Sequence, residues 1–154
     1  MKIRIASALL LLFWGSLVCA QPKEHDLKQN LESLHSLSKP LIIYVRADWC
    51  TICLKLNSEV FQDPEVSKFI DSHFQFSTFL PEIYRHPIRF NKTEYVFKKR
   101  GIGLGEHEFA DFLFSKESLI YPSVFLILPN QQTISISKGY LSKEDLLEKL
   151  QPFI

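Results

Sequence analysis

Cys50 and Cys53 stand three positions apart in "ADWCTIC" (residues 47–53), directly after an apolar run. Two thiols at that spacing can hold a metal, staple a fold or exchange electrons. Stapling explains little, because the entropy a cross-link removes from the unfolded chain grows with loop length and this loop is very short. Structural zinc generally takes four ligands, as two such pairs or as one pair with closely spaced histidines. Here there is no second pair, and His25, His35, His73, His86 and His107 are solitary. Two thiolates alone suit the soft ion Cu(I), so copper handling stands as an alternative.

The third cysteine, Cys19, belongs to a different kind of segment. "MKIR" supplies two positive charges, "IASALLLLFWGSLV" is mostly apolar, and "VCA" offers the small residues a signal peptidase reads. Residues 1–20 are therefore expected to be a signal peptide cleaved after Ala20, followed by an N-terminal lead (21–29), flexible over 21–26, and one domain (30–154). The apolar stretch falls short of the ~20 residues that span a bilayer comfortably, which sets cleavage ahead of a retained anchor. An exported chain of this kind keeps one isolated cysteine pair in an oxidising compartment.

The elements around the pair decide what it can do. Leu27, Leu31 and Leu34 recur at helical spacing, and Pro40 closes that first helix. "LIIYV" (41–45) is short, branched and apolar on both alternating faces, as a central strand covered on both sides must be. From the cysteines onward "CTICLKLNSEVF" carries neither Gly nor Pro, and Ile52, Leu56 and Val60 fall four apart, which predicts a helix. The thiols thus occupy a strand-to-helix junction. Unpaired N–H groups and the positive end of the peptide dipoles favour a thiolate there, lowering a cysteine pKa from ~8.5 to roughly 3.5–7.5. Cys50 is expected as the exposed nucleophile and Cys53, a turn further in, as the resolving thiol.

At this point "WCTIC" resembles the W-C-x-x-C site of the thioredoxin superfamily, and the order of elements over roughly 30–154 is similar throughout. "DPEV" (63–66) resembles the opening of the next helix, with Asp63 as cap and Pro64 in the first turn. "YPSVFLIL" (121–128) is similar to the passage where the superfamily places a cis-proline, implying a cis Tyr121–Pro122 bond beside the thiols. A turn at "PN", a last strand in "QTISISKGY" and a C-terminal helix capped by Ser142 complete the pattern, with Leu146, Leu147 and Leu150 inward. The resemblance implies an α/β thioredoxin-like fold: a central mixed sheet flanked by helices, with an insertion before the cis-proline strand. It also implies that Trp49, Tyr121 and Pro122 line the substrate surface, with the Tyr121 backbone open to an extended substrate segment.

Departures from the pattern carry information too. Where thioredoxin has a buried carboxylate this chain has Tyr44, and where thioredoxin has a helix-kinking proline it has Ser58. Thr51 and Ile52 separate the thiols without a histidine, which favours a reductase or isomerase over a strong oxidant. Between Pro81 and Ile120 the chain is longer than the simplest member needs. It reads as a loop, a short helix, a Gly-rich turn at "GIGLG" and a helix presenting Phe109, Phe112 and Leu113 on one face, with His107 at its start as a capping or exposed residue.

Composition bounds the function classes. With 46% hydrophobic residues and a formal net charge of +1, the chain suits one core-forming domain and offers no broad basic face for nucleic acid. The expectation is an exported, periplasmic, monomeric thiol–disulfide oxidoreductase acting through Cys50 and Cys53 without metal or organic cofactor. Its partners would be exported proteins bearing thiols or disulfides and a membrane-linked redox protein. A thioredoxin-fold interaction module with idle thiols is the remaining alternative.

Overall fold

The computed structural model describes residues 21–37 and 39–154, so the expected signal segment and Cys19 lie outside the described residues. Helix α1 (Leu27–Leu37) leads into strand β1 (Leu41–Val45), helix α2 (Thr51–Leu56), a π-helical turn (Asn57–Phe61), helix α3 (Pro64–His73) and strand β2 (Gln75–Phe79). The insertion follows as β3 (Ile88–Phe90), β4 (Thr93–Tyr95), β5 (Phe97–Lys99), β6 (Gly105–His107) and helix α4 (Glu108–Leu113). Strands β7 (Ser123–Ile127) and β8 (Thr133–Lys138), then helix α5 (Lys143–Leu150), end the fold. The main sheet runs β2-β1-β7-β8, with β1 parallel to β2 and antiparallel to β7, so it is mixed as expected.

All five residues of β1 are buried, and their alternation divides the molecule into two cores. Ile42 and Tyr44 face one side with Cys53, Leu56, Val60, Phe61, Ile70, Leu146 and Leu150. Leu41, Ile43 and Val45 face the other with Leu27, Leu31, Leu34, Phe79, Phe109 and Phe125. A strand that must satisfy two apolar layers has no polar face, which is why its sequence shows no alternation. The predicted caps are present: Asp63 Oδ1 accepts from the Glu65 and Val66 amides, and Ser142 with Asp145 closes a capping box. Leu146 and Leu150 are buried, whereas Leu147 is half-buried.

Two expectations are corrected. The lead is held: Glu24 bridges to Phe76, the His25 amide donates to the Phe76 carbonyl, and α1 begins at Leu27, ahead of the expected domain start at residue 30. No short helix forms at the start of the insertion. Instead two antiparallel hairpins, β3–β4 and β5–β6, stand there. The first is closed by Asn91 and Lys92, both at positive φ, a two-residue turn whose twist suits a tight hairpin. Helix α2 forms as expected, with Ile52 54% exposed and the inward face entered through Cys53.

His107 is a cap, and it is buried rather than exposed. Its Nδ1 accepts from the Phe109 amide at 3.2 Å, while Nε2–H donates to the His86 carbonyl at 3.0 Å. Both ring nitrogens are thereby committed to the neutral ring, and burial holds its pKa below the ordinary histidine value. The unfolded chain takes up that proton at higher pH than the native protein does, so stability should fall as pH drops below about 6.5. His107→Asn keeps a capping oxygen but cannot titrate. Urea denaturation at pH about 7.5 and about 5.5 should therefore show a smaller acid-dependent loss in the variant than in the parent protein.

Candidate active site

The loop from β1 to α2 delivers the cysteines. The Arg46 amide still pairs with the Phe79 carbonyl, after which a turn closes from the Cys50 amide to the Ala47 carbonyl. Cys50 then becomes the N-cap of α2, and its Sγ accepts from the Cys53 amide at 3.1 Å. The two sulfurs are joined as a disulfide, with Cα atoms 5.2 Å apart. Cys50 is only 6% exposed and Cys53 is fully buried, so the expected nucleophile shows an edge to solvent and not a face. Helical i, i+3 spacing is what lets the second sulfur reach the first.

Behind the pair, Tyr44 takes the place of the carboxylate found in thioredoxin. Its hydroxyl donates to the Cys53 carbonyl at 2.8 Å, and burial pushes its pKa up to about 12. It therefore remains a neutral donor that pins the first turn of α2 to the sheet. Ser58 lies within the π-helical turn, where the Gln62 amide reaches back five residues to the Asn57 carbonyl. That widened turn supplies the irregularity that a proline would otherwise introduce. Asp48 pairs with Arg46 at 3.0 Å and is largely solvated.

Trp49 is 68% exposed and meets the Tyr121 ring edge-on, with centroids 5.7 Å apart. The Tyr121–Pro122 peptide bond is cis, and Tyr121 packs against the core layer that contains both cysteines. The structure thus brings together Trp49, Cys50, Cys53 and Tyr121, with Pro122 next in chain. Burial, reinforced by the Glu82 and Glu106 carboxylates, drives the Tyr121 phenol well above its ordinary pKa. Among the described residues, no three His, Cys, Asp or Glu side chains converge on one point.

Other residues at the site were not anticipated. Glu82, at the start of the insertion, accepts from the Trp49 indole at 2.8 Å and fixes that ring beside the thiols. Ile52 and Leu54 are exposed next to the pair and extend its apolar surround. Leu54 lies off the Leu56–Val60 stripe, which is a signal the sequence does contain. Glu82 has no such signal, since only the folded insertion brings it near Trp49.

No curated protein matches the chain. Among solved structures, a DsbH oxidoreductase superposes with a TM-score of 0.59 at 14% identity, covering 95% of this chain and 93% of that one. A thioredoxin from Thermus thermophilus gives 0.56 at 12% identity, covering 86% of each chain. The C-terminal domain of Neisseria meningitidis DsbD, in its oxidised form, gives 0.50 at 14%, covering 85% and 98%. At such identities the likeness is one of fold. The sequence itself matches the Thioredoxin_2 family model, a thioredoxin-like domain, over residues 27–154, a span that takes in the cysteine junction, the cis-proline strand and the insertion between them, and on that ground the chain belongs to this family.

Proposed function

We propose that the protein is a thiol–disulfide oxidoreductase of exported proteins, working as a reductase or isomerase through Cys50 and Cys53. The observation that carries this reading is the Cys50–Cys53 disulfide at the mouth of α2, under the exposed Trp49 and against Tyr121. In the reduced protein the Cys50 thiolate attacks one sulfur of a substrate disulfide. A Cys50–substrate bond forms, the substrate S–S bond breaks, and one substrate thiolate leaves. Cys53 then gives up its proton and attacks the Cys50 sulfur, releasing the second substrate thiolate and regenerating the intramolecular disulfide. Two electrons pass from the dithiol to the substrate, and a partner's dithiol must return them. Trp49, Tyr121 and Pro122 form the surface against which an extended substrate segment lies.

The reducing direction is supported by what surrounds the sulfurs. Thr51 and Ile52 bring no charge between them, and the Cys50 sulfur takes its hydrogen bond from the Cys53 amide. Stabilisation of the thiolate then rests on backbone groups, without an imidazolium to deepen it. The two positive charges and apolar stretch of residues 1–20 support an exported, periplasmic setting, where a membrane-linked donor would return the electrons. A monomer without organic cofactor or metal suffices for this chemistry.

Equilibration of the purified protein with dithiothreitol and glutathione buffers tests the reading. The pair should titrate as a two-electron couple nearer about −270 mV than about −120 mV, and the protein should accelerate the reduction of insulin by dithiothreitol. A potential near the oxidising end overturns the reductive direction. Failure of the pair to titrate at all overturns the oxidoreductase.

A further inference from the structure

We propose that the β5–β6 hairpin is a second docking point for the protein substrate, taking an apolar side chain flanked by a carboxylate into a cleft between two cations. The inference rests on the oxidoreductase reading above and adds to it the kind of protein segment recognised.

The hairpin is firm at its base and bare at its tip. Gly105 faces the Phe97 ring so closely that a Cβ there would lie 2.4 Å from it, so only glycine lets that ring lie across β6. Arg85 lies over the same ring, its guanidinium carbon 3.3 Å from the centroid. Beyond this base, Gly101 and Gly103 flank Ile102, and Gly103 takes a positive φ that turns the chain. Ile102 is 104% exposed and Leu104 is 68% exposed, so both side chains stand free of the fold. Two large aliphatic residues held in water on a braced hairpin are a cost to the free protein that contact with a partner removes.

The cleft beside the tip has a volume of about 440 Å³ and is lined by Arg85, Phe97, Lys99, Ile102 and Leu104 with two glycines. Its walls are apolar and its charges are both positive, with no carboxylate among the lining residues. The neighbouring cations are already neutralised, Lys98 by Glu108 and Arg100 by Glu106 at 3.7 Å. Arg85 and Lys99 have no carboxylate partner among the described residues. A segment carrying an aliphatic residue beside Glu or Asp complements that lining in shape and in sign.

The cleft is also connected to the thiols. The Arg85 Nη1 donates to the Glu82 carbonyl at 2.9 Å, and the Glu82 carboxylate holds the Trp49 indole. The His107 amide at the end of β6 donates to the Pro81 carbonyl, which fixes the hairpin to the same loop. One partner chain can therefore lie along Trp49 and the hairpin together, with its disulfide at Cys50.

Disulfide-bridged peptides in which a Leu-Glu or a Leu-Lys pair is moved stepwise away from the cystine provide the test. At the matching spacing the Leu-Glu peptide should show a KM lower by about tenfold than the Leu-Lys peptide, with kcat alike. Ile102→Ser combined with Leu104→Ser should erase that advantage, and so should Lys99→Glu, which sets a carboxylate against Arg85 and cancels the positive charge of the cleft. Neither change should alter the rate with glutathione disulfide, which is too small to reach the hairpin. These side chains are exposed, so folding is not at stake. Equal KM values for the two peptides at every spacing overturn the docking point. Variants that keep their peptide KM but lose binding to anionic phosphatidylglycerol vesicles overturn it in favour of a lipid contact. If the parent protein exchanges with neither peptide nor glutathione disulfide, it is the oxidoreductase reading itself that fails.

Discussion

Cys50→Ser should lower protein-disulfide exchange by more than about a thousandfold, whereas Cys53→Ser should convert the protein into a trap. The two outcomes differ because the sulfurs are not equivalent in place. Cys50 caps the helix and keeps an edge toward solvent, while Cys53 has none. Substrate sulfur can be approached only through Cys50, so its loss stops the first bond from forming. With Cys53 replaced, that first bond still forms but nothing stands within reach to break it. Mixed disulfides between Cys50 and exported proteins should accumulate, visible on non-reducing gels and released by dithiothreitol. Serine is close in size to cysteine, so both changes keep the packing volume around α2, Cys53→Ser at the cost of a hydroxyl placed where the side chain is fully buried. Adducts of equal yield through Cys53 in the Cys50→Ser variant would contradict the assigned order of attack.

The segments on either side of the insertion were readable because local chemistry there admits few answers. Asp63 before Pro64, and Ser142 three residues before Asp145, name their helix starts by hydrogen-bonding capacity alone. Leu27, Leu31 and Leu34 mark a buried stripe, and "LIIYV" marks a doubly covered strand. The cysteine junction followed from those neighbours. The cis Tyr121–Pro122 bond came only through family resemblance, since nothing in "IYPSV" distinguishes cis from trans.

The insertion was less legible, for physical reasons. Its strands are three residues long, too short for a period of two to show against background. The turn between β3 and β4 uses Asn91-Lys92 in place of a glycine-containing pair, so the strongest hairpin signal was missing. Glu82 was invisible because its role depends on a loop returning to Trp49 across 33 residues of sequence.

What those short strands lack in local signal is supplied by aromatic packing, and Phe109→Ala should expose how much. Phe109 is fully buried at the centre of a ring cluster, with centroids 5.8 Å from Phe79, 5.9 Å from Phe90, 5.4 Å from Tyr95 and 5.6 Å from Phe112. Phe79 belongs to the main sheet and the other three to the insertion, so Phe109 joins the two, alongside the Tyr84 and His107 rings on Phe79 and Phe114 on Phe125. Truncation removes its burial and leaves a cavity bounded by rings that cannot all move inward, a loss of about 3–5 kcal/mol. Against a total of roughly 5–15 kcal/mol, that brings a domain of this size close to unfolding at ordinary temperature. Phe109→Leu, which refills most of the space, should cost markedly less, and the difference between them is readable from urea midpoints at constant slope. The cysteines lie on the opposite face of β1, in the other core layer. In whatever fraction stays folded, the Cys50–Cys53 potential should therefore match that of the parent protein, while the β3–β4 hairpin, whose Phe90 and Tyr95 pack on Phe109, should become more open to proteolysis. A potential that shifts along with stability would mean that the two layers do not act independently.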